Sequence, residues 1–168
     1  MDKVNDKIEI RLALRKDIDR LLEIFALARK FMRANGNMTQ WDDSYPSREQ
    51  IEVDIDNGQC FVGEDTAGKV VMTFVFIMGE DPTYKVIEGQ WINNEPYGTI
   101  HRIASDGSHS RIVERACDFG FGLTQNIRID THEDNHPMQN ALNRMDFKKC
   151  GIIICRNGTP RIAFQKKK

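Results

Sequence analysis

Long apolar runs are missing from this chain of 168 residues. None reaches the roughly 20 residues that a membrane-spanning helix needs, so no membrane partner is expected. The opening, MDKVNDKIEI, lacks the apolar core of a secretory signal. An excess of positive charge is missing too. Against 25 Asp and Glu stand 24 Lys and Arg, for a net charge of -1. A general nucleic-acid binder needs a basic face to neutralise phosphates, so no nucleic-acid partner is expected. Cysteine is sparse. Cys60, Cys117, Cys150 and Cys155 sit in apolar segments without paired spacing. That reads as reduced core residues rather than a zinc site or a disulfide framework. There is no Gly-x-Ser-x-Gly nucleophile motif, no internal repeat and no low-complexity linker. What remains is a chain long enough to bury most of its apolar surface. It is expected to form a single domain over 1–168 and to be cytoplasmic.

The apolar pattern predicts the elements. Residues 8–14 alternate apolar and polar, as a strand does. Asp17 precedes a helix faced by Ile18, Leu21, Leu22, Phe25, Ala28 and Met32, which ends near Asn35-Gly36. Ser47 and Gln50 form a capping box for a short helix to about Asp56, with Ile51 and Ile55 inward. Strands follow at 60–63 and 70–78. The second has no polar face and is expected at the sheet centre. Residues 81–96 read as irregular or briefly helical. A strand at 97–105 leads into a helix at 108–124, with Ile112, Ala116, Cys117, Gly120 and Leu123 inward. Strands at 147–155 and 161–165 join through Asn157-Gly158, a hairpin signal.

The segment 127–154 carries the most information. Ile127 and Ile129 mark a strand. Asn135 and Pro137 mark a helix start, since Asn caps free N–H groups and Pro fits the first turn. Met138, Ala141, Leu142 and Met145 form one helix face. The order β-α-α-β-β-β-α-β-α-β-β implies antiparallel hairpins flanking a strand–helix–strand crossover, which must be parallel and right-handed.

This order resembles the GNAT superfamily of acyl-CoA-dependent N-acyltransferases over nearly the whole chain. The segments that carry the likeness are TIHRIAS (99–105) with DGSHSRIVERACDFGF after it, IRIDTHEDNHPMQNALNRMDF (127–147) and QWDDSYPS (40–47). The resemblance implies an α/β (α+β) fold with a mixed central sheet, helices on both faces, and acetyl-CoA as cosubstrate. It implies two strands that splay apart to admit the pantetheine arm. Ile103 and Ser105 would offer backbone N–H groups to that arm, and Asn135 would touch it from the other side. Ser108, His109, Ser110, Arg111, Ile112 and Val113 would cradle the pyrophosphate at a helix N-terminus, where free N–H groups and about half a positive charge favour an anion.

The chain departs from the family pattern at three places. The family loop usually reads Gln/Arg-x-x-Gly-x-Gly/Ala, and here Arg111 and Val113 replace both glycines. Arg111 either crowds the cosubstrate or pairs with its phosphates. Leu142 stands in the register where the family often carries a tyrosine that protonates the departing thiolate. Asp146 replaces the glycine before Phe147, at a position that often needs positive φ, which Asp tolerates.

Acyl transfer to an amine needs a neutral amine, a polarised carbonyl and a protonated leaving group. His101, in register with Ile103 and Ser105, is the candidate proton acceptor. The plainer alternative is a hydrogen-bonded core histidine. Trp41, Tyr45, Trp91 and His132 are the candidates to bind the amine acceptor. The alternatives are a packed lid for Trp41 and Tyr45 and an ordinary surface loop for Trp91. Asp130, His132 and His136 alternate as metal ligands sometimes do, but such spacing more often marks a solvated loop, and no metal is expected. Two functions follow: an N-acetyltransferase acting on a small-molecule or peptide amine, or a non-catalytic CoA-binding or ligand-sensing module on the same fold. Exposed sheet edges leave a homodimer open.

Overall fold

The apolar run at the sheet centre is β3 (Val70–Met78), buried from Val70 through Phe76. A strand buried on both faces needs helices above and below it, and this one has both. In a computed structural model, which describes residues 6–168, α1 (Ile18–Ala34) and α2 (Arg48–Asp56) cover one face. The other face is covered by α3 (Ile112–Phe121) and α4 (His136–Arg144). The first face packs Leu21, Ile24, Phe25 and Ile51 onto Cys60 and Val62. The second packs Ala116, Cys117 and Leu142 onto Met72, Phe74, Ile127 and Ile129.

The remaining strands are β1 (Glu9–Leu12), β2 (Cys60–Glu64), β4 (Glu88–Gly89), β5 (Gly98–Ser105), β6 (Asn126–Thr131), β7 (Lys148–Ile154) and β8 (Pro160–Lys167). Together with β3 they form one sheet in the order β1-β2-β3-β5-β6-β8-β7-β4. Among the described residues every pairing is antiparallel except β5 with β6. The expected mixed sheet, with hairpins on either side of a parallel crossover and helices on both faces, is therefore present. No helix among the described residues is long and apolar enough to cross a membrane.

Local chemistry explains where the elements differ from the sequence reading. Asp17 stands before α1 but does not cap it; its carboxylate accepts instead from the Leu14 N–H and from Arg11. Ser47 caps α2 through the Gln50 N–H, whereas the Gln50 side chain turns to Asp54, so only half of the expected box forms. Helix α3 starts at Ile112 rather than at 108, because Arg111 takes left-handed backbone at φ 61. It stops at Phe121, which leaves Leu123 exposed rather than inward. β4 is too short to show a pattern. It reaches the sheet because Gly151, opposite Gly89, has no side chain; a Cβ on Gly151 would lie 2.1 Å from the Glu88 carbonyl oxygen. Asp146 adopts φ 62, the left-handed conformation expected of it.

The parallel pairing of β5 with β6 begins at Gly98, opposite Ile127. A Cβ on Gly98 would sit 2.5 Å from the buried Phe76 ring. Gly98→Ala is therefore expected to destabilise the fold by about 1–3 kcal/mol, the usual range for overpacking. Urea unfolding measures it, and an unchanged midpoint would mean that Phe76 moves aside freely.

Candidate active site

β5 and β6 pair at only two positions, Gly98 with Ile127 and Thr99 with Arg128. Beyond them the strands separate. β5 keeps β3 on its other side, out to Ser105 with Met72, and β6 keeps β8, out to Thr131 with Ile162. The notch between them exposes backbone that has no strand partner on that side. The Asp106 N–H donates to Val71 O, on the β3 side. Alternation along the strand then turns the amides of Ser105 and Ile103 toward the notch. A bulge at Arg102 assists the bend: Arg102 adopts φ 51, and the β3–β5 register slips between Thr73 and Val75.

A cavity of about 510 Å³ opens at the notch and reaches Ile103 and Asp130, though not Ser105 or the residues 108–113, a size that suits a small-molecule ligand. Its walls run from Trp41, Tyr45 and Asp54 on one face of the sheet, past Ile100–Ile103 and Ile129, to Asn135 and Met138 of α4 on the other. Such a passage through a sheet exists only where two strands have parted. Asn135 caps α4 through the Met138 N–H, as the sequence reading expected, and donates from Nδ2 to Gln40 Oε1.

At the far end of β5 the residues 106–111 lead into α3. No side chain caps this helix. Ser108 and Ser110 are exposed, as is Arg111, and His109 Nδ1 lies 2.8 Å from Ser108 Oγ. Ile112 and Val113 open the helix. Arg111 holds the left-handed conformation that a glycine would take most easily.

His101 lies on the cavity wall, with Nε2 3.0 Å from Asp81 Oδ2. Asp81 also accepts from the Thr83 N–H and hydroxyl. Burial alone would raise the Asp81 carboxyl, but the hydrogen bonds from His101 and Thr83 prevail and hold it down at about 2. An ionised Asp81 can only accept, so His101 donates from Nε2; in the neutral ring the lone pair then lies on Nδ1. Nδ1 has no hydrogen-bond partner among the described residues. Tyr84, fully buried beside His101, donates to Asp130 Oδ2 at 2.6 Å.

Arg102 reaches from the bulge to Asp54 through two hydrogen bonds of 2.8 Å and donates to the Tyr45 hydroxyl at 3.1 Å. Trp41 is buried against Phe25 and Tyr45, edge to face, and still lines the cavity. Trp41 and Tyr45 are thus both packed and cavity-facing. Trp91 is neither at the cavity nor loose on the surface. It packs on Tyr84, donates from its indole to Tyr84 O and stacks on Arg128, and it does not line the cavity. His132 is also set back from the cavity wall. Its Nδ1 accepts from the Asp134 N–H and its Nε2 meets Thr39 Oγ1 at 3.3 Å, which ties the end of β6 to the loop 37–46. Asp130, His132 and His136 do not gather into a metal-binding group among the described residues. Leu142 is buried in the α3–α4 core, and α4 carries no tyrosine.

Sequence reasoning missed Asp54, Asp81, Arg102 and Arg161 at this cavity. Two of them left a signal. Arg102 interrupts an apolar strand, and Asp54 lies between Ile51 and Ile55 on the inward side of α2.

The depressed Asp81 carboxyl has a consequence for stability. A carboxyl at about 2 in the folded state, against an ordinary 3.8, favours folding by about 2 kcal/mol at neutral pH. That contribution is complete above 3.8 and fades as the pH falls toward 2. Asp81→Asn should therefore cost about 2 kcal/mol in urea unfolding at pH 7 and close to nothing at pH 2. An equal cost at both pH values would contradict the assignment.

No family model matches the sequence, and no curated protein does. Solved structures do. An acetyltransferase of the GNAT family from Streptococcus agalactiae is 34% identical over 96% of this chain and 95% of its own, with a TM-score of 0.83. A GNAT-family acetyltransferase from Listeria monocytogenes is 20% identical over 96% and 95%, with a TM-score of 0.71. Another, from Bacillus cereus, is 20% identical over 96% and 98%, with a TM-score of 0.59. The last two share the fold. The first, at its identity and coverage, settles the family: this chain belongs to the GNAT superfamily of acyl-CoA N-acyltransferases.

Proposed function

We propose that this chain, acting as one cytoplasmic domain, transfers an acetyl group from acetyl-CoA to the primary amine of a small molecule or peptide. Attack is direct, without a covalent enzyme intermediate. The observation that carries this reading is the cavity that passes between the parted ends of β5 and β6. Unpaired amides in a buried notch are costly unless something bonds them. The amides of Ile103 and Ser105 suit the amide-rich pantetheine arm, with Asn135 across the gap. The uncapped start of α3, with Ser108, His109, Ser110, Arg111, Ile112 and Val113, suits the pyrophosphate.

His101 is the proposed proton acceptor. Asp81 positions the ring and fixes its tautomer, which leaves Nδ1 to take a proton from the amine directly or through one water. The amine nitrogen then bonds to the acetyl carbon, the carbon–sulfur bond breaks, and the departing thiolate takes up the second proton that the nitrogen sheds, directly or through water. Trp41 and Tyr45 wall the acceptor side.

Two substitutions test the assignment. With acetyl-CoA and an amine panel followed by thiol release, His101→Ala is expected to lower kcat by about 100-fold or more while acetyl-CoA still binds. Unchanged turnover would remove His101 from the chemistry. Arg111→Gly tolerates the left-handed backbone and deletes the side chain together with its guanidinium. Acetyl-CoA affinity by calorimetry should fall about fivefold, the worth of an exposed charge pair; an equal or higher affinity would show that Arg111 does not hold phosphate. Binding of acetyl-CoA without turnover of any amine would favour the non-catalytic CoA-binding module, which the lack of a tyrosine on α4 permits.

A further inference from the structure

The cavity contains a buried cation with no ion-pair partner among the described residues. Arg161, near the start of β8, is 6% exposed and lines the cavity. Its partners among the described residues are all neutral: Thr159 Oγ1 at 2.7 Å, Pro160 O at 3.0 Å and Gln40 O at 3.4 Å. The first two engage Nη1 and the third is a long bond to Nη2. Nε has no partner, so the Nε–Nη2 edge of the guanidinium is almost unused. That edge is the one that takes a carboxylate through two parallel bonds. Burying a guanidinium without an anion is costly. Arg102, half-buried at the same cavity, has its anion in Asp54, and Arg128, buried away from the cavity, is held by Asn93 O and by the rings of Trp91 and Tyr97. Arg156, exposed on the hairpin next to Arg161, also lines the cavity and has no carboxylate partner among the described residues.

The carboxylates of the cavity complete the pattern. Asp54 is held by Arg102 and Asp81 by His101. Asp42 is exposed and folds back on Ser44. Asp130 accepts only from the Tyr84 hydroxyl and faces no cation among the described residues. It pairs with Ala163 across β6 and β8, two residues along from Arg161 on the same sheet face. Such diagonal neighbours have Cβ atoms roughly 7 Å apart. Arg161 and Asp130 therefore share one sheet face and one cavity with His101, and no ion pair joins the two among the described residues.

Resting on the acetyltransferase reading above, we infer that the acceptor is an amine that also carries a carboxylate, of the amino-acid type. Arg161, with Arg156 at the rim, binds the carboxylate of the acceptor. Asp130 faces its ammonium group, and His101 takes the proton.

The test compares the L-amino acids with their carboxamides and with the corresponding decarboxylated amines, using acetyl-CoA and thiol release. The acids should show kcat/KM at least about tenfold above their carboxamides, the worth of one charge-assisted pair. The amine of a carboxamide is the less basic, so amine ionisation cannot produce that preference. Arg161→Gln should abolish the preference by raising KM for the acids, with acetyl-CoA affinity unchanged; Arg161→Lys should keep part of it and controls for folding. Equal use of acids and carboxamides overturns the inference and leaves the acetyltransferase reading intact. Binding of acetyl-CoA with no turnover of any acid also overturns it. Failure to bind acetyl-CoA strikes the reading beneath it instead.

Discussion

Everything at this site depends on two strands that start together and then part. β5 and β6 run parallel through Gly98–Ile127 and Thr99–Arg128 and share no pair beyond. A sheet does not give up strand pairing lightly, since each buried amide left without a partner costs about 1–3 kcal/mol. Here the separation is built in from both sides. The bulge at Arg102 bends β5 toward β3, and β8 holds β6 through the full length of the strand to Thr131. The gap is thus enforced by neighbouring pairings, and its open backbone is available to a ligand that brings amides of its own.

The same bend sets the electrostatics. By leaving the regular strand, Arg102 extends to Asp54 on α2 and to Tyr45 in the loop 37–46, which ties three elements around the cavity mouth. His101, one residue earlier, stays on the regular strand and meets Asp81. One strand therefore supplies both a structural cation, neutralised by its partner, and a histidine whose second nitrogen remains free. Arg161 differs from both. It comes from β8, on the far side of β6, and has only neutral partners. At the cavity the paired charges tie its walls together, and Arg161 lines it with neutral partners alone.

Periodicity made most of the fold legible. β3 has no polar face, α4 has an Asn cap and a clear apolar stripe, and Asn157-Gly158 joins β7 to β8. The late start of α3 was hidden because a left-handed Arg111 ends the helical pattern where no glycine marks it. β4, two residues long, has no period to read. The site was harder. The parted strands were readable only through resemblance to a family, since nothing local in 98–105 or 126–131 announces missing pairs. The placement of Trp91 was not legible because an aromatic residue in a polar loop gives no sign of which way it turns, and here it packs with the Arg128 guanidinium and Tyr84. Asp81, Asp54 and Arg161 come from three distant segments, and only folding brings them to one cavity.

The central claim is that the notch and the start of α3 together hold acetyl-CoA. Backbone amide chemical shifts, recorded while acetyl-CoA is added to the labelled protein, test it most directly. The largest changes should fall on Ile103 and Ser105, on Ile112 through Glu114, and on Ile129 through Thr131. Changes confined to any other part of the sheet, or none at saturating acetyl-CoA, would contradict it.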